Sequence, residues 1–180
     1  MTLPTLGTLI SLQATDHPEL LAPSVAHALA SWEPAARTAV VEIDPELADT
    51  AACSAAYDLP LESGANCVVV MGRRAGEERI AACVVRADTR ADVNNTVKRL
   101  LDVRKASFHS HDRAVEETGM EYGGITPLGL PAGWRVLVDA ACVDIDVAVI
   151  GSGLRRSKLL LPGTDLARLP GAEVVAGLAG

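Results

Sequence analysis

The chain is poor in aromatic residues, with one phenylalanine, two tyrosines and two tryptophans among 180 residues. Its core must therefore be aliphatic, built largely from the Ala, Val and Leu that fill a hydrophobic fraction of 49 %. Basic charge is in deficit. A net charge of −7 argues against a surface that coats nucleic acid generally, because such binding rests on neutralising phosphates. It still allows a local basic patch that touches one strand end. No apolar run approaches the length of a membrane span, so no membrane partner is expected. Met1-Thr2-Leu3-Pro4-Thr5-Leu6 has no basic residue ahead of its apolar part and does not read as a secretory signal. Cysteines are few: Cys53, Cys67, Cys83 and Cys142, none in a C-x-x-C pair. They read as small core residues in a reducing compartment, so the expected location is the cytoplasm, and neither a disulfide framework nor a metal is expected. A nucleophile elbow, a P-loop and a Rossmann fingerprint are all missing. Gly151-Ser152-Gly153 shares the opening of a dinucleotide fingerprint, but it lacks the third glycine and precedes a strand-like run. No cofactor is expected.

What the chain does have is concentrated in Tyr122-Gly123-Gly124-Ile125-Thr126-Pro127-Leu128-Gly129-Leu130. Three glycines and a proline lie among apolar residues. Glycine adopts backbone angles closed to other residues and lets a ligand approach the main chain. Proline fixes φ and removes a donor. Such a loop can present bare amides to a carbonyl oxygen or carboxylate. It can equally be a tight turn between two buried strands.

Along the chain, residues 1–15 carry no clear pattern. Asp16-His17-Pro18-Glu19 predicts a helix start, running to about Trp32 with Leu20, Leu21, Val25 and Leu29 inward and Pro23 tolerated early. Residues 38–43 predict a strand. Asp44-Pro45-Glu46 repeats the cap signal before an Ala-rich helix ending near Tyr57. Residues 66–71 and 79–85 are apolar and β-branched, and together they predict a hairpin over 66–86. A helix is expected from Asp88–Asp92 to about Asp102, then a short extended piece at 106–108. A further helix should end at Gly119. Strands are expected at 134–138, 146–150 and 158–161, and a terminal helix from Pro162. No linker or repeat divides the chain. The mixture, without strict βαβ alternation, predicts one α+β domain.

Two clusters carry alternatives. His109 and His111 flank Ser110, and alternate residues of an extended segment share a face, as a metal pair would. A third ligand is not evident, and Asp112 fits better as a helix N-cap. Lys98, Arg99, Arg104 and Lys105 form one basic spot, and Arg155, Arg156 and Lys158 another. These are either solvated faces or contacts for phosphates beside a pocket.

From about residue 36 onward the order of elements resembles the YbaK family, the aminoacyl-tRNA editing domains also found inserted in, or as stand-alone relatives of, prolyl-tRNA synthetase. The hairpin followed by Ala87-Asp88-Thr89-Arg90-Ala91-Asp92, and Arg104-Lys105-Ala106-Ser107-Phe108, carry part of the likeness. Thr118-Gly119, and then Gly123-Gly124-Ile125-Thr126-Pro127-Leu128-Gly129, match the family's G-x-x-x-P loop. Val136-Leu137-Val138-Asp139 matches its strand ending in aspartate. Gly151-Ser152-Gly153-Leu154-Arg155 matches its glycine turn. The resemblance implies a single α+β domain: a mixed β-sheet curled towards a barrel, with surrounding helices. Residues 1–35 would be an N-terminal extension with one helix, packed on an editing domain at 36–180. The implied activity is trans-acting removal of a wrongly attached amino acid from tRNA, of the Cys- or Ala-tRNA(Pro) kind, without metal or cofactor. The partner would be the acceptor end of an aminoacyl-tRNA. The oligomeric state stays open, a homodimer included.

By the same resemblance, Gly123, Gly124, Thr126 and Pro127 form the catalytic ester-binding loop. Asn66, Gly129, Gly151, Gly153 and Arg155 bind substrate. Asp139 either anchors the loop or merely caps a strand end. One position departs from the pattern. Family members usually carry a lysine at the start of the central strand, and here Asn66 stands in its place. A neutral amide cannot supply the charge of an ammonium. Either a nearby arginine (Arg73 or Arg155) compensates, or the substrate differs, or the protein binds a small amino-acid-like ligand or a partner without hydrolysis.

Overall fold

A computed structural model describes residues 2–180. The β-structure divides into two sheets, and neither closes into a barrel. The first joins β1 (Leu12–Gln13), β2 (Ala39–Glu42), β8 (Ser157–Leu161) and β7 (Ala148–Gly151), antiparallel and in that order. The second runs β5 (Ala106–Phe108), β3 (Ala65–Arg74), β4 (Glu77–Arg86), β6 (Arg135–Asp139), β9 (Ala172–Val175). It is mixed: the β3–β4 hairpin is antiparallel, while β6 lies parallel to both β4 and β9. A bridge between Gly64 and Val149 stitches the sheets at one corner.

The sequence dictates the layering. Neighbouring residues of a strand point to opposite faces. In β4 and β6, Val84, Val136 and Val138 enter a central core between the sheets, whereas Ala81, Cys83, Val85 and Leu137 enter a second core behind. In the other sheet Val40, Leu159 and Leu161 face the central core, while Ala39, Val41 and Leu160 face a third. Both central sheets are thus apolar on two faces, which is why their runs are nearly continuous in Val, Ala and Leu. Helix α1 (Pro23–Ser31) buries Val25 and Leu29 in the central core, so the first 35 residues share that core with the rest of the chain. Helix α2 (Thr50–Tyr57) places Cys53 in the third core.

Several boundaries differ from the sequence expectation. The first helix begins at Pro23 rather than Asp16, because residues 14–20 form two short 3-10 turns and Pro23 takes the first helical position, where its missing N–H costs nothing. The segment before α3 (Lys98–Leu101) is a π-turn, Val93–Val97, capped by the Asp92 carboxylate, which accepts from the amides of Asn95 and Thr96. Helix α4 (His111–Thr118) is capped by Ser110, not Asp112; the hydroxyl accepts from Arg113 N–H, and Asp112 sits in the first turn. The terminal helix is a 3-10 stretch, Gly163–Arg168, and the edge strand β9 follows it. A short helix, α5 (Ala140–Val143), begins directly at the end of β6.

Candidate active site

Beside the Gly64–Val149 bridge the two sheets diverge and leave a cavity of about 440 Å³. Its walls come from the start of β3, from Val149 to Gly151 on β7, from the start of α2 and from the turn at Tyr122–Gly123. Phe108, His109 and His111 close the remaining side.

The glycine-rich loop does not join two strands. It leads from α4 to β6. Glu121 and the loop's first three residues form a β-turn in which Gly124 N–H donates to Glu121 O at 2.9 Å, with Gly123 at a φ of +78°. That angle at the third position is the one a type II turn requires, and glycine supplies it without strain. The loop is then locked against the second glycine turn. Gly153 N–H donates to Gly124 O, and Glu121 N–H to Gly153 O, both at 2.8 Å. A Cβ on Gly151 would lie 2.3 Å from Gly124 O, and one on Gly124 about 2.8 Å from the Leu154 carbonyl carbon. These two glycines are needed because two backbones touch. Arg155 finishes the clamp: its amide donates to the Glu121 carboxylate at 2.6 Å, and its guanidinium donates to the carbonyls of Tyr122 and Pro45. The N–H groups of Gly123 and Ile125, both residues of the pocket wall, meet no backbone carbonyl among the described residues.

The polar groups of the pocket have distinct environments. Asn66 accepts from the Thr50 hydroxyl at 3.1 Å. Cys53 and Cys67 line the wall, but burial pushes both thiols up, so they are neutral at pH 7 and cannot act as thiolate nucleophiles. His109 is buried, edge-on to Trp134 with ring centroids 5.9 Å apart, and its Nε2 lies 3.4 Å from Glu117. His111 packs instead on Tyr122. The two imidazoles thus take different neighbours rather than acting as a pair.

One cation belongs to the pocket, and it is Lys158 on β8. Its Nζ donates to Ala48 O at 2.9 Å, and no carboxylate lies within ion-pair distance among the described residues. Burial lowers its pKa.

A model of the aminoacyl-tRNA editing domain matches residues 44–169, more than half of the chain and every pocket element named so far. The chain belongs to the aminoacyl-tRNA editing domain family. As a member it is an aminoacyl-tRNA hydrolase, and its substrate is an aminoacyl-tRNA. Solved structures of similar fold include a protein proposed to be a trans-editing enzyme for prolyl tRNA synthetase: 20 % identity, 86 % of this chain and 94 % of that one covered, TM-score 0.73. The hypothetical protein APE2540 is similar at 22 % identity, covering 78 % and 90 %, with a TM-score of 0.69. A scaffold used for computational epitope grafting gives 19 %, 86 % and 94 %, and 0.70. No helix among the described residues is long and apolar enough to cross a membrane.

Within this editing domain the residues singled out from sequence take different places. Asn66, Gly123 and Gly151 line the pocket. Gly124, Gly153 and Arg155 stand behind that wall and hold it together. Thr126 and Pro127 are buried beneath the loop, and the Thr126 hydroxyl meets no protein partner. Gly129 packs farther away, against the first turn of α1, where a Cβ would lie 2.5 Å from Ser24 O. Asp139 is not at the pocket. It caps α5 through Ala141 N–H and holds Ala179 N–H, both at 2.9 Å, so it ties strand end to C-terminus. Arg73, one candidate to replace the missing lysine, pairs with Glu78 beyond the hairpin turn. Arg155, Arg156 and Lys158 do not form a free patch, since each donates to a main-chain carbonyl. Lys158 was singled out only as part of that basic spot, not as a residue of the catalytic pocket; the further signal was a lysine within a strand otherwise apolar, in Ser157-Lys158-Leu159-Leu160-Leu161.

Proposed function

We propose that this protein is a trans-acting deacylase that hydrolyses mischarged tRNA bearing a small amino acid, of the Cys- or Ala-tRNA(Pro) kind, and that the 440 Å³ cavity is its active site. The observation that carries this reading is the half-buried ammonium of Lys158 in that cavity, on the opposite sheet from Asn66. A cation in a partly apolar site, where the lining carboxylate Asp49 does not come within ion-pair distance of it, is costly to bury and is kept for an anion or a developing oxyanion. On this reading Lys158, carried on β8, takes the part of the lysine that Asn66 replaces on β3.

The chemistry follows from the site. Water attacks the ester carbonyl carbon, the carbonyl oxygen gains charge, and the tetrahedral intermediate collapses. The C–O bond to the ribose breaks, the ribose oxygen takes a proton, and free amino acid and tRNA leave. Lys158 and the loop amides of Gly123 and Ile125 stabilise the oxyanion. Asn66 orients the aminoacyl end by neutral hydrogen bonds. Gly124, Gly151, Gly153, Thr126 and Pro127 fix the loop, and Arg155 clamps it. When the amino acid is cysteine, its own thiol can attack first: the C–S bond forms as the C–O bond to the ribose breaks, the ribose oxygen takes the proton, and water then opens the resulting thiolactone to free cysteine; a ribose hydroxyl of the tRNA positions the attacker. The small walls, Cys53, Cys67, Val149 and Ile150, suit a short side chain. We take residues 36–180 as the editing unit and 1–35 as an extension packed on it.

The test is deacylation of alanyl-, cysteinyl- and seryl-tRNA for proline, with prolyl-tRNA as control. The expected result is turnover of one mischarged species, lost in Gly123→Ala and Lys158→Met. Silence across the panel from a folded protein would refute the assignment.

A further inference from the structure

The few aromatic residues of this chain are unevenly placed. Trp32 is buried, and Tyr57 and Trp134 are half-buried. Phe108 and Tyr122 are 63 % and 54 % exposed, and both belong to the wall of the editing cavity. A third ring joins them: His111, itself exposed, packs on Tyr122 with centroids 4.8 Å apart and planes tilted by 49°. The fold does not require these rings. Phe108 is held through backbone pairing of β5 with Val70, and Tyr122 contributes its carbonyl to the Arg155 guanidinium. In a chain so short of aromatics, two open rings at one cavity mouth call for an occupant.

The charges around the mouth narrow what that occupant is. Arg155 is turned onto the carbonyls of Tyr122 and Pro45, with Asp49 3.9 Å away. Asp112 and Glu116 border the shallow groove that His111 and Tyr122 share. Little is left to neutralise a run of phosphates, which is the usual source of affinity for nucleic acid. Stacking is the other source, and it needs only a π-face.

We propose that Phe108, Tyr122 and His111 form a stacking site for the nucleobase at the 3′ end of the acceptor strand, so that the enzyme grips its substrate by that base rather than by its phosphates. The inference rests on the cavity being the editing site. The ester hangs from the ribose of that terminal nucleotide, so a base stacked at the mouth would deliver the aminoacyl group inward, towards Gly123 and Lys158. Recognition of this kind reads no particular base and leaves discrimination to the cavity.

The experiment uses an uncharged, labelled stem-loop ending in CCA and the same oligonucleotide with an abasic terminal sugar, and follows fluorescence anisotropy at low and moderate salt. The expected result is roughly tenfold tighter binding of the base-bearing end, with only a shallow loss as salt rises. Phe108→Ala and Tyr122→Ala should each erase that preference, and Phe108→Trp should keep it. Both rings are exposed, so the variants should fold, which circular dichroism checks. Equal affinity for the two ends, an unchanged preference in both alanine variants, or rings covered instead by a second copy of the chain would overturn the proposal. Base-dependent binding without any deacylation would sustain the stacking site and remove the editing assignment. Deacylation that is indifferent to the terminal base would do the reverse.

Discussion

Lys158 donates from Nζ to the carbonyl oxygen of Ala48 at 2.9 Å, and that single contact holds the ammonium within the editing cavity. Burial is the main cause of its lowered pKa; the nearby Cys53 and Asp49 oppose the shift, and Arg155 adds to it. With the folded value below the unfolded one, folding carries a cost while the lysine is protonated. The unfolded chain binds more protons between the two values, so stability rises with pH there. Lys158→Met should therefore be at least as stable as the natural protein at neutral pH, and the gap should close as pH climbs towards the ordinary lysine value of 10.5. Activity should move the other way. We expect a loss on the order of 100-fold in kcat for Lys158→Met, and in the natural protein an alkaline fall in rate beginning below 10.5. Denaturation and pH–rate profiles on the two proteins check both halves. A stable, fully active variant would remove Lys158 from the mechanism.

Gly151 and Gly124 predict a different balance from Gly123. In Gly151→Ala the new methyl would sit 2.3 Å from Gly124 O, against backbone that cannot swing away. A loss of about 1–3 kcal/mol in stability is expected, with activity falling because the two walls part. In Gly123→Ala the nearest atom is the flexible end of Arg155, at 2.5 Å, and the φ of +78° adds strain of about 1–2 kcal/mol. Activity should suffer more than stability there, because this residue lines the cavity. Urea titrations beside single-turnover deacylation distinguish the two cases.

Glu78 binds the hairpin to α4, the helix that carries His111. It accepts from Arg113 at 2.8 Å and from Arg73 at 2.7 Å. The Arg113 guanidinium, followed by that of Arg73, holds its carboxyl down at about 2. A folded value below the unfolded one means stability present above the ordinary glutamate value and lost as pH falls towards 2. Glu78→Gln should lower the melting temperature modestly at pH 7, and the difference should vanish in strong acid. A constant difference across that range would show that the ion pairs do not matter.

Asp165 is buried and takes a two-pronged hydrogen bond from Arg37, at 2.7 and 2.5 Å. The pair joins a residue ahead of the family match to one within it. Removing the guanidinium leaves a buried carboxylate with Arg168 as its remaining basic neighbour, 3.7 Å away. Arg37→Ala should cost about 3 kcal/mol, measured by equilibrium denaturation. Arg37→Met should be no better, since the carboxylate stays unpaired.

Much of the fold was legible because it rests on local signals. The β3–β4 run of Val, Ala and Cys and the glycine after α4 do in the structure what their residue types favour, whereas Asp44-Pro45-Glu46 caps only a 3-10 turn, Pro45–Leu47, and α2 starts later, at Thr50. The errors came where tertiary context decides. Ser110 outcompeted Asp112 for the α4 cap, and Pro23 set the α1 start that Pro18 was expected to set. The division into two sheets was not readable, because β2 pairs with β8 across more than a hundred residues. The site was half legible. Glycines mark where backbone must come close, but they do not say whether a ligand or another backbone approaches. Gly123 faces the cavity, while Gly124 and Gly151 face each other. Lys158 was legible only as one of three neighbouring basic residues: a lysine in an apolar strand looks like a solvated edge residue until the cavity beside it is seen.

The relation between Asn66 and Lys158 gives the last prediction. If one ammonium is what the pocket needs, its position along the chain matters less than its presence. Asn66→Lys alone would put a second cation in the same cavity and break the bond from Thr50. Like charges in a half-buried site repel, so this variant should be less stable and no more active. Lys158→Met should be nearly inactive. The double variant, Asn66→Lys with Lys158→Met, should recover at least part of the lost rate, because it restores one cation to the cavity. The coupling would appear as strong non-additivity in a double-mutant cycle on kcat/KM. Simple additivity of the two losses would mean that the two positions do separate work, and that Lys158 does not stand in for the lysine absent from β3.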